Sequence, residues 1–423
     1  MGAAGTRTEG GRVFAAGVAP MPAKMRWLLR HPWLGLLALV AALGVGVGAA
    51  FWIVVGPPPG WERRTPVSPE TARHFSPDYL TARARFRAKV QAAHGGLAQI
   101  PIDARGPAGE ALTIDIGWFG AARPRKVLLH SSGIHGVEGF AGSAIQLQLL
   151  DALPRLEPDS AIVLVHLLNP YGVAWLRRAN EDNVDLNRNF LGPDEAYSGA
   201  PTGYGALDPL LNPPSPPAWD FFYARAIGQV IRHGMTALKQ AVANGQYDYA
   251  KGLFFGGKRL QQGPERYQAF LRERLTGAGR VIAIDVHTGV GDYGEELLLA
   301  EEEEFKAARR VFGARVFLAD ADRGAAYRIR GGYEKMLARV FPSADLHFVA
   351  EEFGTYRPIH IVRALREENR WHHWGGGTPG HPAKHALRDA FSPEDEAWRQ
   401  AVLARGQSLL REAVMALAAG ASG

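Results

Sequence analysis

The sequence predicts an α/β fold, with a mostly parallel or mixed central sheet and helices on both faces. Apolar runs of strand length alternate with helical patterns from about Ser68 onward, the order that produces such a sheet. With 423 residues, 47% hydrophobic and 21% charged, the chain has enough apolar material for a large core and too much for disorder along most of its length. Several strand-like runs also end on glycine, histidine or carboxylate residues, and open α/β sheets bind ligands at strand C-terminal ends.

Residues 1–24 are rich in Gly, Ala and Arg without apolar periodicity, and predict a disordered basic tail. Trp33–Val55 carries no charge and is long enough as a helix to span a ~30 Å hydrocarbon core. It predicts a single-pass membrane anchor. A cleavable signal peptide is the competing reading, with Gly48, Ala49 and Ala50 as small residues for cleavage, but the run exceeds the ~7–15 residues of an ordinary h-region. The short basic tail places the N-terminus inside and the main body outside the cytoplasm. Residues 56–67, opening on Gly56-Pro57-Pro58-Pro59-Gly60, form a stiff linker to a body over residues 68–418.

Within the body, strands are expected at Leu112–Trp118, Lys126–His130, Ala161–Leu168, Val281–Val286, Glu296–Ala300 and Leu346–Ala350. Helices are expected at Gly139–Leu153, Phe221–Val242, Tyr267–Leu275, Glu303–Phe312, Gly332–Val340 and Pro393–Ala418. Leu191–Pro217, dense in Pro and Gly, predicts a long surface loop near a site. Glu301–Glu304 predicts a solvated helix start favoured by the dipole.

Composition excludes several classes of function. The net charge is +6, but Arg7, Arg12, Lys24, Arg26 and Arg30 stand against only Glu9 in the N-terminal tail, so most of the excess lies there. No basic stripe interleaved with aromatics runs through the body, which argues against nucleic acid. The absence of cysteine excludes disulfides, thiolate-ligated metals and thiol nucleophiles. Any metal must use His, Asp and Glu.

Four segments carry chemistry. In Ser131-Ser132-Gly133-Ile134-His135-Gly136-Val137-Glu138-Gly139, a strand runs into a Gly-flanked turn where His135 and Glu138 can converge on one Zn²⁺. Alone, the pair fits a hydrogen-bonded turn histidine and a helix-start carboxylate equally well. Arg177–Phe190 packs arginines, amides and carboxylates into one stretch, suited to clamping a carboxylate and polarising a carbonyl, or simply to a solvated loop. His287 ends the strand Ile284-Asp285-Val286-His287, where a lone histidine is more often a satisfied core residue than a ligand, although a third ligand is what the first pair lacks. Glu351 and Glu352 close another strand. Successive strand residues face opposite ways, so one of them enters a site there as a general base.

Taken in order, His135-x-x-Glu138, Asn169-Pro170-Tyr171-Gly172, Val184-Asp185-Leu186-Asn187-Arg188-Asn189-Phe190, His287 and Glu352-Phe353-Gly354 resemble the motif set of the zinc carboxypeptidase-like metallopeptidases. The bacterial branch related to succinylglutamate desuccinylase and aspartoacylase is the most similar, over roughly residues 75–415. The resemblance implies that His135, Glu138 and His287 ligate one zinc ion per chain, and that Asp185 orients the first ligand histidine. It implies that Glu352, rather than Glu351, is the general base. Asn187 and Arg188 match residues that hold a substrate's terminal carboxylate, and Arg178 matches the arginine that stabilises the tetrahedral oxyanion. Tyr333 and Tyr356 are the candidates for a substrate-capping tyrosine. The expected activity is hydrolysis of an amide bond next to a free carboxylate, in a peptide or an N-acyl amino acid. The alternatives are an N-acyl amino-acid deacylase proper and a non-catalytic protein that binds a carboxylate-bearing ligand.

A second histidine group, His372-His373 and His381-x-x-x-His385, lacks the glutamate of a zincin motif and predicts a surface or loop role. Trp371 and Trp374 beside it are candidate pocket residues.

Overall fold

The computed structural model describes Gly2 and residues 32–56, 64–319 and 329–419. Apart from Gly2, the basic tail expected over residues 1–24 lies outside these, as does most of the linker expected over residues 56–67. The chain divides into two compact units, residues 1–56 and 57–423. In the first, a helix covers Pro32–Val55 with Leu36, Leu37, Val45 and Trp52 exposed. Among the described residues, no helix is long and apolar enough to cross a membrane. The predicted anchor is helical over Pro32–Val55 and is not supported as a span.

The second unit is built on eight strands among the described residues: β1 Gly96–Arg105, β2 Ala111–Gly120, β3 Lys126–Ser132, β4 Ser160–His166, β5 Arg280–Thr288, β6 Glu296–Ala300, β7 Val316–Leu318 and β8 Asp345–Phe353. They form one mixed sheet in the order β1-β2-β4-β3-β5-β8-β6-β7. Its centre, β4-β3-β5-β8, is parallel, while β1, β2 and β4 pair antiparallel, as do β6 and β8. The parallel strands are apolar on both faces because helices cover both. The chain steps from β3 to β4 on one side and later to β5 on the other. That reversal opens a crevice at the C-terminal ends of β3 and β5, where ligands collect in open α/β sheets.

The helices that matter for the site are α1 Tyr79–Ala92, α2 Gly139–Leu149, α3 Gln262–Leu275, α4 Glu302–Phe312, α5 Tyr333–Val340, α6 Pro358–Trp374, α7 Pro382–Phe391 and α8 Glu396–Ala418. Alternate strand residues divide the core. Leu128, Ile162, Ile282, Val286, Val349 and Phe353 pack with α1, α2, α4 and α8. Val127, Val163, Val281, Ala283 and Phe348 face α3 and α5. This period of two decides which polar strand residues share a face. Asp285, His287 and Glu352 are in phase with the α3/α5 side, and Glu351 with the α8 side.

Two expected elements differ. The segment predicted as one helix over Phe221–Val242 is two, Phe222–His233 and Met235–Ala243, broken at Gly234 with φ 79°. Leu191–Pro217 is not all loop, because Tyr204–Leu211 forms a helix that buries Tyr204, Leu207 and Leu211. Those apolar residues fall on one helical face, a signal masked by the surrounding prolines.

Candidate functional site

Gly133 and Gly136 let the chain leave β3 and turn at once, with φ 74° and 51°. At Gly136 the requirement is also steric, since a Cβ there would stand 2.0 Å from the Arg177 carbonyl oxygen. The Val137 N–H donates to that same carbonyl at 3.0 Å, fastening the turn to the Arg177–Arg178 segment. Through this turn His135 and Glu138 are brought beside His287, the penultimate residue of β5. In the sheet register His287 in turn stands opposite Glu352 of β8.

The three side chains are buried and converge on one point. His135 Nδ1 is 3.2 Å from Glu138 Oε2 and 3.1 Å from His287 Nδ1, and His287 Nδ1 is 3.4 Å from Glu138 Oε2. Two atoms each bonded to a tetrahedral zinc at ~2.0–2.1 Å are roughly 3.3 Å apart, so this spacing fits such an ion. The chemistry of the donors fits as well. His287 Nε2 is engaged by Asp285 Oδ2 at 2.7 Å, which turns the other nitrogen toward its His135 counterpart. Two imidazole nitrogens facing each other at 3.1 Å share either a proton or a metal ion. The group is the single set of three or more such ligands among the described residues.

Carboxylates and an arginine surround the ligands. Asp185 Oδ1 is 3.2 Å from His135 Nε2, and the Asn187 N–H donates to the same oxygen. Asp285 does the corresponding work for His287 and was missed in the sequence, although a residue two positions from His287 in a strand must share its face. The Ser131 hydroxyl donates to Asp285 Oδ1 at 2.6 Å and anchors it. Arg178 donates through Nη1 to Glu138 Oε1 at 2.5 Å and through Nε to Asp185 Oδ2 at 3.1 Å, and its Nη2 is 2.9 Å from His135 Nε2. It binds the ligand set directly, closer in than an oxyanion contact alone requires.

Charge states follow from these contacts. Burial opposes ionisation of Glu138, but the His135 ring and the Arg178 guanidinium hold its carboxyl well below the usual range. Asp185 is likewise buried, and Arg178, Arg188 and His135 keep it ionised. Burial alone would lower His287. The Asp285 charge and hydrogen bond outweigh that and hold the ring well above its ordinary value, so it favours a positive partner on Nδ1, whether proton or metal. Glu352 is pushed up to about 7 by burial, with His287 pulling it down and Glu138 pushing it up by less.

His135, His287 and Glu352 line one cavity of ≈ 70 Å³ together with Asn187 and Arg188. Asn187 Oδ1 accepts the Tyr333 N–H at 2.9 Å. Arg188 donates to the Ala243 and Asn187 carbonyls. Glu351 lies on the opposite face, fully buried, raised first by burial and then by its neighbour Glu296. Neither candidate capping tyrosine lines the cavity: Tyr333 is buried against Tyr267, hydroxyl to hydroxyl at 2.7 Å, and Tyr356 is bound by Arg64 and Asp389. Nor does the long Leu191–Pro217 segment line it.

The fold and site together define a mixed α/β protein with a buried His–Glu–His group arranged to hold a metal ion. The chain belongs to the DUF2817 family, described as "Protein of unknown function (DUF2817)", which matches residues 75–405. No curated protein matches it. Among solved structures it is similar to the carboxypeptidase A of Helicoverpa armigera, at 13% identity over 74% of this chain and 73% of that one, with a TM-score of 0.38. It is also similar to a succinylglutamate desuccinylase from Silicibacter sp., at 15% identity over 67% of each chain and a TM-score of 0.33. A third similar structure is the succinylglutamate desuccinylase of Chromobacterium violaceum, at 15% identity over 75% and 74% with a TM-score of 0.32. At overlaps this loose no activity is transferred from these proteins.

Proposed function

We propose that this chain is a zinc-dependent hydrolase, with one ion per chain, that cleaves an amide bond beside a free carboxylate. Its substrate is a peptide or an N-acyl amino acid, and its catalytic body is residues 68–418. One observation carries the reading: His135 and His287, which converge with Glu138, and the Glu352 carboxyl meet at a cavity that Asn187 and Arg188 also line.

Two imidazoles and a carboxylate are a donor set suited to zinc, which when bound polarises a carbonyl and supplies a nucleophile from water near neutral pH. Glu352, held near 7, is able to take a proton from water and return it to a leaving amine at ordinary pH. Arg178, which lines a different cavity, holds Glu138 and Asp185 beside His135, and its proposed part is to offset negative charge that develops at this group. Asn187 and Arg188 offer an amide and a guanidinium to the substrate carboxylate. Asp185 and Asp285 keep both imidazoles in register.

The modest cavity favours a single amino acid as the part of the substrate enclosed, as an N-acyl amino-acid deacylase requires. Metal analysis of the purified chain, joined to turnover on carboxy-terminally free peptides and N-acyl amino acids, tests both readings. Stoichiometric zinc with turnover on one substrate set is expected. Bound zinc without turnover on any amide replaces the enzyme by a binding protein, and a metal-free, inactive chain removes the proposal.

A further inference from the structure

One residue beside the site stands in a backbone conformation that its side chain makes costly. Phe254 has φ 57°, in the left-handed region that bulky residues avoid and glycine adopts freely. Gly252, Gly256 and Gly257 stand close by, yet this position carries an aromatic ring. The backbone around it is tied down. The Tyr204 hydroxyl donates to the Leu253 carbonyl at 2.7 Å, the Gln246 N–H to that of Phe254 at 3.0 Å, and the Asp185 N–H to that of Phe255 at 2.7 Å. Strain held this firmly collects where a side chain is needed in one place.

The ring has two cations on it. Its centroid is 5.3 Å from the guanidinium carbon of Arg178 and 5.8 Å from that of Arg188. These arginines serve different ends of the site. Arg178 binds Glu138, Asp185 and His135, whereas Arg188 lines the cavity beside Asn187. One carboxylate, Asp185, stands 3.1 Å from Arg178 Nε and 3.8 Å from Arg188 Nη1. Two like charges around a single carboxylate repel each other, and an aromatic face attracts both while keeping water from them. Phe254 is half-buried and packs against the apolar cluster that includes Leu253 and Leu365, which limits its own movement.

We propose that Phe254 is a positioning residue that sets both arginines of the site. It acts on the metal-ligand end through Arg178 and on the substrate-carboxylate end through Arg188, so one ring keeps the two ends in register. The proposal rests on the hydrolase reading for what the arginines do, though not for the contacts that orient them.

The test removes the aromatic face while keeping apolar bulk. Phe254→Leu and Phe254→Tyr in the full-length chain are assayed at saturating zinc on carboxy-terminally free peptides and N-acyl amino acids, with turnover counted per bound zinc. Phe254→Leu is expected to lose about 10-fold in kcat/KM, shared between a lower kcat through Arg178 and a higher KM through Arg188, and Phe254→Tyr to keep most of it. Nuclear magnetic resonance without substrate reads the contacts themselves. The Arg178 and Arg188 Nε–H protons, assigned with Arg178→Lys and Arg188→Lys, should exchange with water about 10-fold faster in Phe254→Leu and at the original rate in Phe254→Tyr. Should Phe254→Leu fail to fold, Phe254→Gly removes the ring while easing the left-handed backbone and reports on the same protons. Exchange unaltered by loss of the ring overturns the proposal, whatever the kinetics show. So does unaltered kcat/KM in an active enzyme, or an equal loss in Phe254→Tyr and Phe254→Leu. Faster exchange in a chain that turns over no amide removes the hydrolase reading and keeps the positioning role.

Discussion

Two regions of this protein are rich in histidine, and their surroundings differ in sign. At the strand ends, His135 and His287 each have an aspartate on Nε2 and share Glu138 on Nδ1. Around α6 and α7, His372 and His373 lie instead near Arg177 and Lys384. Burial lowers them first and the cations lower them further, to about 2 and about 4. His381 is spent on structure, accepting the Ala383 N–H at the start of α7 and stacking on Trp371 at 3.7 Å. His372, His373 and His381 are half-buried and His385 is exposed, so the group lies at the surface on helices rather than in a loop, and among the described residues it forms no set of three metal ligands. Histidine content is a poor guide to metal binding. What sets His135 and His287 apart is that their Nδ1 atoms converge with Glu138 while an aspartate stands behind each ring.

That contrast breaks most readily at the ligands. His135→Ala or His287→Ala should take bound metal from one ion per chain to near none and abolish turnover, while His372→Ala with His373→Ala leaves metal content alone. Metal analysis showing the opposite pattern would move the site to α6. Next in size, Glu352→Gln should keep the metal and cost at least about 10²-fold in kcat, the usual value of a positioned general base. Glu351→Gln, on the other face of the sheet, should not reproduce that loss. Asp285→Asn sharpens the comparison further, because it tests the carboxylate rather than the ligand. Metal affinity should weaken about 10- to 100-fold in a competition titration, and an unchanged affinity would deny Asp285 its positioning role.

The smallest effect belongs to the second histidine group. The His372 and His373 rings are held neutral in the folded chain and are ordinary, near 6.5, in the unfolded one. Below 6.5 the unfolded chain takes up protons that the folded chain refuses, so stability present above 6.5 is lost as pH falls toward 4. His373→Gln should flatten this part of the stability profile in denaturant titrations. The change should be no more than about 1 kcal/mol per pH unit, because the ring keeps some solvent contact.

Much of this was legible in the residues themselves. The cores of β3, β5 and β8 read as apolar runs because helices cover both faces, and His135, Glu138, His287 and Glu352 stand out where those runs stop. β1 was not legible, since it is an edge strand with Pro101 inside and several residues open to solvent, which blurs the alternation. α6 was hidden for another reason. It buries Arg366, Glu368 and Arg370 through ion pairs and carbonyl contacts, and buried charges leave no apolar stripe to find. Asp285 was within reach by strand period alone. Phe254 was not, because nothing local says that an aromatic residue takes a left-handed backbone beside two arginines distant in sequence.

The order of the strands also bears on how the chain reaches its native state. His135 and His287 are 152 residues apart in sequence, and Glu352 lies farther still, so no ligand pair beyond His135 and Glu138 exists until β3, β5 and β8 have aligned. Closing such long loops is slow, and it precedes any complete site. An ion held there consequently arrives too late to guide assembly. It lengthens the lifetime of the finished fold by slowing its unfolding, and it leaves the rate of refolding where the bare polypeptide sets it.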